Sequence, residues 1–153
     1  QTVSDYPFLW ELAHYEWVEL ALAIAKDQPE FAVDADQVDL ERQALAVSPL
    51  AWLLAYRFPV QKISPQYRPL SAADQTTYLV VYRDQFHEVH FMETVALTFR
   101  LLQLLEAEPQ NAKNLIGHLS QEIPGSRVDA LLPHAYATLQ DMLSRGIVIP
   151  FND

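Results

Sequence analysis

Cysteine is absent from the 153 residues, so the chain has no disulfide, no thiolate metal ligand and no thiol nucleophile, which suits a reducing compartment. Glycine is scarce too, and three of them leave no glycine-rich loop to cradle a phosphate. No apolar run reaches the ~18 residues of a membrane helix. The longest candidate, around Leu20 to Ala25, is flanked by Glu16, Glu19 and Lys26. Bases are outnumbered ten to twenty, for a net charge of −10, and the imbalance sits at the front: Gln1 to Leu50 holds ten acids and two bases. Duplex binding relies on Lys and Arg displacing counterions, and this composition lacks that footprint. Internal repeats and low-complexity segments are missing as well. The start at Gln1, with neither a methionine nor a signal pattern, points to a fragment of a longer protein. The expected location is the cytoplasm.

What remains is half apolar, enough for a globular core that buries roughly 70% of the unfolded surface. The segment DYPFLWELAHYEWVELALAIAK predicts a helix with Ser4 or Asp5 as N-cap and Pro7 in the first turn. Its apolar face would be Leu9, Ala13, Trp17, Leu20, Ala21 and Ile24. Gln28 to Val47 lacks a clean period and reads as a long connector with one helical turn. Ser48-Pro49 opens a short turn or helix. AYRFPVQKI then reads as a first strand carrying Tyr56, Phe58, Val60 and Ile63, and Pro59 assigns it to a sheet edge. After the linker SPQYRPLSAADQ come a second strand, Tyr78 to Arg83, a turn, Asp84 to His87, and a third strand, Glu88 to Glu93.

Helical periods follow, from about Val95 to Glu106 and from about Ala112 to Ile123. Ser126-x-x-Asp129 resembles a capping box for a third helix, whose stripe is Val128, Leu132, Ala135, Leu139, Met142 and Leu143. Pro133 either starts that helix after a separate turn or kinks it, and Gly146 permits a left-handed cap. The final IVIPF fits a short strand. The fold class is α+β: an N-terminal helix and acidic connector over residues 1–47, then a winged-helix-like module of three strands and three helices over residues 48–153.

Candidate chemistry is thin. Glu11-x-x-His14 has the spacing of half a di-iron site, but no second copy exists, and a solvated helix face is the expectation. Glu16, at the rim of the apolar face, calls for an ion pair with Arg57 or Arg83. His87 and His90 project to opposite faces of a strand and form no metal pair, while His118 and His134 lack ligand neighbours. Ser64, Ser120 and Ser144 have no triad context. An enzyme is not expected, nor a resident metal or cofactor.

A winged-helix transcriptional regulator is the alternative from the fold, but its third helix, RVDALLPHAYATLQDMLSR, has arginines only at its ends. With Pro59 removing a ladder donor from the first strand, the third strand is the better template for an incoming peptide by β-augmentation. The groove between it and the third helix would supply specificity. The competing reading is that Val89 and Phe91 point inward as ordinary core.

The strings YPFLWELAHYEW, SPLAWLLAYRFPVQKISP, TYLVVYRDQFHEVHFMETVALTFRLLQLLE and LQDMLSRGIVI resemble the C-terminal region of HvfC/BufC-type maturation proteins. These act on ribosomally made, post-translationally modified peptides, and many were formerly labelled DNA-binding. Such proteins usually carry a further helical domain at the N-terminus. The resemblance implies a noncatalytic partner of an HvfB/MbnB-like TIM-barrel, multinuclear-iron oxidase, which turns precursor-peptide cysteines into metal-chelating groups; the iron belongs to that enzyme. The element order also resembles the peptide-recognition element of PqqD-type proteins, in which a leader peptide adds to the third strand. On that likeness the peptide contacts are His90, Phe91, Met92 and Glu93, with Tyr136 and Gln140 on the third helix. No nucleic acid or membrane partner is expected.

Overall fold

The computed structural model describes residues 6–26, 37–122 and 128–152. Its elements run α1 (Leu9–Ala23), β1 (Leu45–Val47), β2 (Ala51–Tyr56), a 3-10 turn (Val60–Lys62), β3 (Thr77–Arg83), β4 (Val89–Thr94), α2 (Ala96–Ala107), α3 (Ala112–Glu122), α4 (Val128–Arg145) and β5 (Val148–Pro150). The chain is thus α+β, with a three-stranded antiparallel sheet in the order β2-β3-β4 followed by helices. Among the described residues no helix is long and apolar enough to cross a membrane.

Strand register explains why the central strand is so apolar. Leu79 and Val81 of β3 align with Leu54 and Trp52 of β2 and with Glu93 and Phe91 of β4, whereas Val80 and Tyr82 align with Leu53, Ala51, Met92 and His90. Side chains alternate across a pleated strand, so these two sets lie on opposite faces. The first set joins Val18 and Leu22 of α1 in one buried cluster. The second joins the α2, α3 and α4 helices in a larger one. Covered on both faces, β3 has no solvent side to make polar, and TYLVVYR reads as a near-continuous apolar run.

The three C-terminal helices form as their periods predict, with Leu101, Leu105, Leu115, Ile116, Leu119, Leu139 and Leu143 buried. Helix α4 continues through Pro133, while the capping box at Ser126 lies outside the described residues, as do Ser4 and Asp5. Gly146 takes φ 79°. The Ile147 amide then donates to the Met142 carbonyl and the Gly146 amide to Leu143, the paired bonds of a Schellman cap. This reversal sends β5 back along β1, with Ala46 opposite Ile149, so IVIPF does form a strand. On its other side, Leu45 exchanges two backbone hydrogen bonds with Gln110 between α2 and α3.

Several expectations are corrected. The first strand of the meander is Ala51–Tyr56, upstream of the predicted AYRFPVQKI; Pro59 follows it and leads into the 3-10 turn. A proline donor gap therefore does not distinguish the two sheet edges. The connector ends in a strand, β1, which its irregular composition hid. Helix α1 buries Val18 and Leu22 and exposes Trp17, Leu20 and Ile24, so that of the predicted face Leu9 packs against the buried cluster and these three turn away from it. Glu16 is exposed, and both candidate arginines are engaged elsewhere. Glu11 and His14 are not a solvated face: the Glu11 carboxylate accepts from the Phe58 and Arg57 amides at 2.9 and 3.1 Å, and His14 Nδ1 lies 2.7 Å from the Tyr56 hydroxyl. Both therefore clamp α1 to the end of β2.

Candidate functional site

The outer edge of β4 is formed by its pairing with β3. The Asp84 amide donates to the Glu88 carbonyl across the turn, so Asp84 and Glu88 are a hydrogen-bonded pair. In an antiparallel ladder such pairs alternate, which directs the main-chain groups of His90, Met92 and Thr94 toward β3. Those of Val89, Phe91 and Glu93 point away from the sheet. Among the described residues no strand pairs with them; the C-terminal β5, the nearest strand in sequence after the helices, pairs with β1 instead.

The turn that starts this edge is braced by one carboxylate. Asp84 Oδ1 accepts from the Phe86 and Glu88 amides at 2.8 and 3.0 Å, and Oδ2 lies 2.6 Å from His90 Nε2. Burial pushes this carboxyl upward, but the hydrogen bonds from His90, Glu88 and Phe86 outweigh it and hold Asp84 below its usual range. His87 sits at φ 66° inside the turn, a left-handed conformation that histidine adopts more readily than most residues. Asp84, Glu88 and His90 offer atoms within 4.8 Å of one another. The His90–Asp84 contact and the Glu88 amide on Asp84 make this a hairpin brace, which the odd spacing of the histidines did not suggest.

The sequence-predicted contacts divide between two faces. His90 stacks on Tyr82 with ring centroids 5.2 Å apart, and Met92 packs against the larger cluster. Phe91 faces α1 and meets Tyr15 at 4.6 Å, while Glu93 is exposed and accepts a hydrogen bond from Gln61 Nε2 at 3.1 Å. Tyr136 is half-buried at the margin of the same cluster as Met92, and Gln140 is exposed on α4. The reading of Val89 and Phe91 as core is right for their side chains, which pack at the edge of the α1 cluster. Their backbone groups face outward all the same.

Clefts lie at both ends of the edge. At the turn end, a cleft of about 210 Å³ is lined by Tyr82, Asp84, Phe86, His90, Ser144 and Arg145. Here the end of α4 approaches the hairpin, and Arg145 donates to the Tyr82 hydroxyl at 3.2 Å while bonding Asp141. At the far end, a cleft of about 480 Å³ is lined by residues that include Gln75, Tyr78, Glu93, Thr94 and Val95. The arrangement can hold an extended chain and place some of its side chains at either end. Asp84, His90 and Ser144 all line the turn-end cleft, where the Ser144 hydroxyl donates to the Asp141 carbonyl at 2.7 Å.

A family model described as the HvfC C-terminal domain matches residues 48–143, well over half of the chain. The matched stretch runs from the turn before β2 into the last turn of α4 and contains the whole β4 edge, but not α1. No curated protein matches the chain.

Proposed function

Because this chain belongs to the HvfC C-terminal domain family, with the accessory role in a biosynthetic pathway that membership suggests, we propose that it binds a precursor peptide and presents it to a partner. The peptide's leader segment adds to β4 as a fourth strand, in the manner of PqqD-type recognition elements, and the partner is an HvfB/MbnB-like iron-dependent oxidase that modifies it. The chain is noncatalytic in this reading. It holds the substrate, and the enzyme supplies iron and chemistry.

One observation carries the proposal: the outward main-chain groups of Val89, Phe91 and Glu93 are unpaired among the described residues, while β5 is committed to β1. An exposed edge is a template for another strand, and hydrogen bonds along it give affinity that the flanking side chains make specific. A DNA-binding reading has little to rest on, since the one arginine described on α4, Arg145, is bonded to Asp141 and Tyr82.

The test is titration of the chain with synthetic precursor peptides, read by calorimetry at low and high salt. Strand pairing predicts weak salt dependence and loss of binding when proline replaces a guest residue opposite Phe91. Proline-tolerant binding, or copurification of the oxidase and peptide without this chain, refutes the assignment.

A further inference from the structure

The outer face of α1 carries a second surface, independent of the β4 edge and outside the stretch matched by the family model. Trp10, Ala13, Trp17, Leu20 and Ile24 follow the 3-4-3-4 spacing of a coiled-coil seam. All five are exposed, the four large ones to 77%, 57%, 60% and 71%. The helix is apolar on two sides because it serves two surfaces: Val18 and Leu22 dock on the sheet, and the opposite stripe is left over. Trp17 is already held in place, its ring 5.9 Å from His14 and 6.1 Å from Trp52, which widens the apolar surface toward β2. From Trp10 to Ile24 the seam extends about 21 Å at 1.5 Å per residue, the length of two heptads.

The charge beside the seam identifies what fits. Helix α1 contains Glu11, Glu16 and Glu19 and no Lys or Arg. Glu11 is turned inward onto the Arg57 and Phe58 amides, leaving Glu16 and Glu19 exposed along one flank. In heptad terms Glu16 takes the g position, which faces a flanking residue of the neighbouring helix. A second copy aligned antiparallel would set Glu16 against Glu16, between chains of net charge −10. An anionic lipid surface meets the same repulsion.

We propose that the outer face of α1 seats a single helix of a partner protein, apolar at heptad spacing and bearing Lys or Arg opposite Glu16, with Glu19 behind it adding to the negative flank. The two tryptophans, Trp17 at the centre and Trp10 at one end, supply the main anchors, since large aromatic side chains dominate such contacts, and the acidic flank selects the partner's sign.

The probe is a pair of synthetic three-heptad helices, identical at the apolar positions and carrying either Lys or Glu at every flanking position. Each is titrated against the full chain and followed by tryptophan emission. The Lys peptide is expected to blue-shift the emission and bind at least about tenfold more tightly than the Glu peptide. Leu20→Glu should abolish binding with the circular dichroism unchanged, because Leu20 is largely exposed. Glu16→Lys combined with Glu19→Lys should move the preference toward the Glu peptide. Equal binding of both peptides, binding of neither, or a preference unmoved by the charge reversal overturns the proposal. So does a dimer in sedimentation that Leu20→Glu dissolves, or adsorption to phosphatidylserine vesicles in place of the Lys peptide.

Discussion

Replacing Arg83 with methionine should loosen α1 from the sheet by a measurable amount. The last carbonyls of a helix have no intrahelical partners, and α1 has no basic residue in its last turn to serve them. The partner comes instead from β3. Arg83, 5% exposed, donates through Nη1 to the Leu22 and Ala25 carbonyls at 2.8 Å each, with Ala23 at 3.5 Å. Hydrogen bonds involving a charged group each contribute about 1.5–3 kcal/mol. Two short ones give about 3–6 kcal/mol, from which the relief of not burying a guanidinium must be taken. A net loss of about 2–4 kcal/mol remains, or about 1–2 M in urea midpoint for a slope near 2 kcal/mol per M. The Trp17 ring of α1 lies 6.1 Å from Trp52 of β2, so tryptophan emission reports their separation. Hydrogen exchange at Val18 and Leu22 distinguishes local release of the helix from global unfolding. Arg83→Lys should fall between, because an ammonium retains charge without the planar fork. If Arg83→Met unfolds within about 0.5 kcal/mol of the parent, the capping account is wrong.

Glu11→Ala should cost about 2 kcal/mol by urea titration, since it removes a charged acceptor from the Arg57 and Phe58 amides; an unchanged midpoint would remove the clamp from the account. Folding lowers the Asp84 pKa, so its contribution is complete above the unfolded value of about 3.9 and disappears as pH falls through the lower folded one. Near-ultraviolet circular dichroism during acidification should show that loss in the parent, and Asp84→Asn, already weakened at neutral pH, should lack it; identical acid profiles would contradict the brace. Burial, with Glu11 and Tyr15 nearby, pushes the Tyr56 hydroxyl up to about 12. Its stabilising contribution is therefore present below the unfolded value of about 10 and is lost as pH rises from there to 12. Ultraviolet titration should find Tyr56 ionising after ordinary tyrosines, with the late step absent in Tyr56→Phe; ionisation at about 10 would count against the burial.

The hairpin was legible because Asp84 to Glu88 interrupts two strongly β-forming runs, and a local turn needs no distant information. The three C-terminal helices were legible for a similar reason, each having one apolar stripe. AWLLAY gave no such signal. Lying in a sheet covered on both faces, it lacks the alternation that marks a half-exposed strand, which Phe58 and Val60 beyond it imitate. Helix α1 failed differently: with apolar residues on two sides, periodicity detects a helix but cannot choose between Val18/Leu22 and Trp17/Leu20 as the docked face. The roles of Arg83 and Glu11 were hidden because their acceptors and donors lie 58 to 61 and 46 to 47 residues away. At the candidate edge, the likeness to PqqD-type elements suggested His90, Phe91, Met92 and Glu93, but the outward set Val89, Phe91 and Glu93 depends on which ladder pairs are bonded, a parity that only the turn geometry fixes.

The short ladder between β1 and β5 has a mechanical consequence. Ala44 accepts from the Phe151 amide at one end and Ser48 donates to Ile147 at the other, so the chain entering before residue 44 and the chain leaving after residue 151 depart from the same end. Tension applied between these two departures loads the bonds one after another, as in opening a zipper, and not all together in shear. The clasp should thus yield at low force and release α4 from its tether to the front of the module, while the β2-β3-β4 ladder stays out of the line of pull.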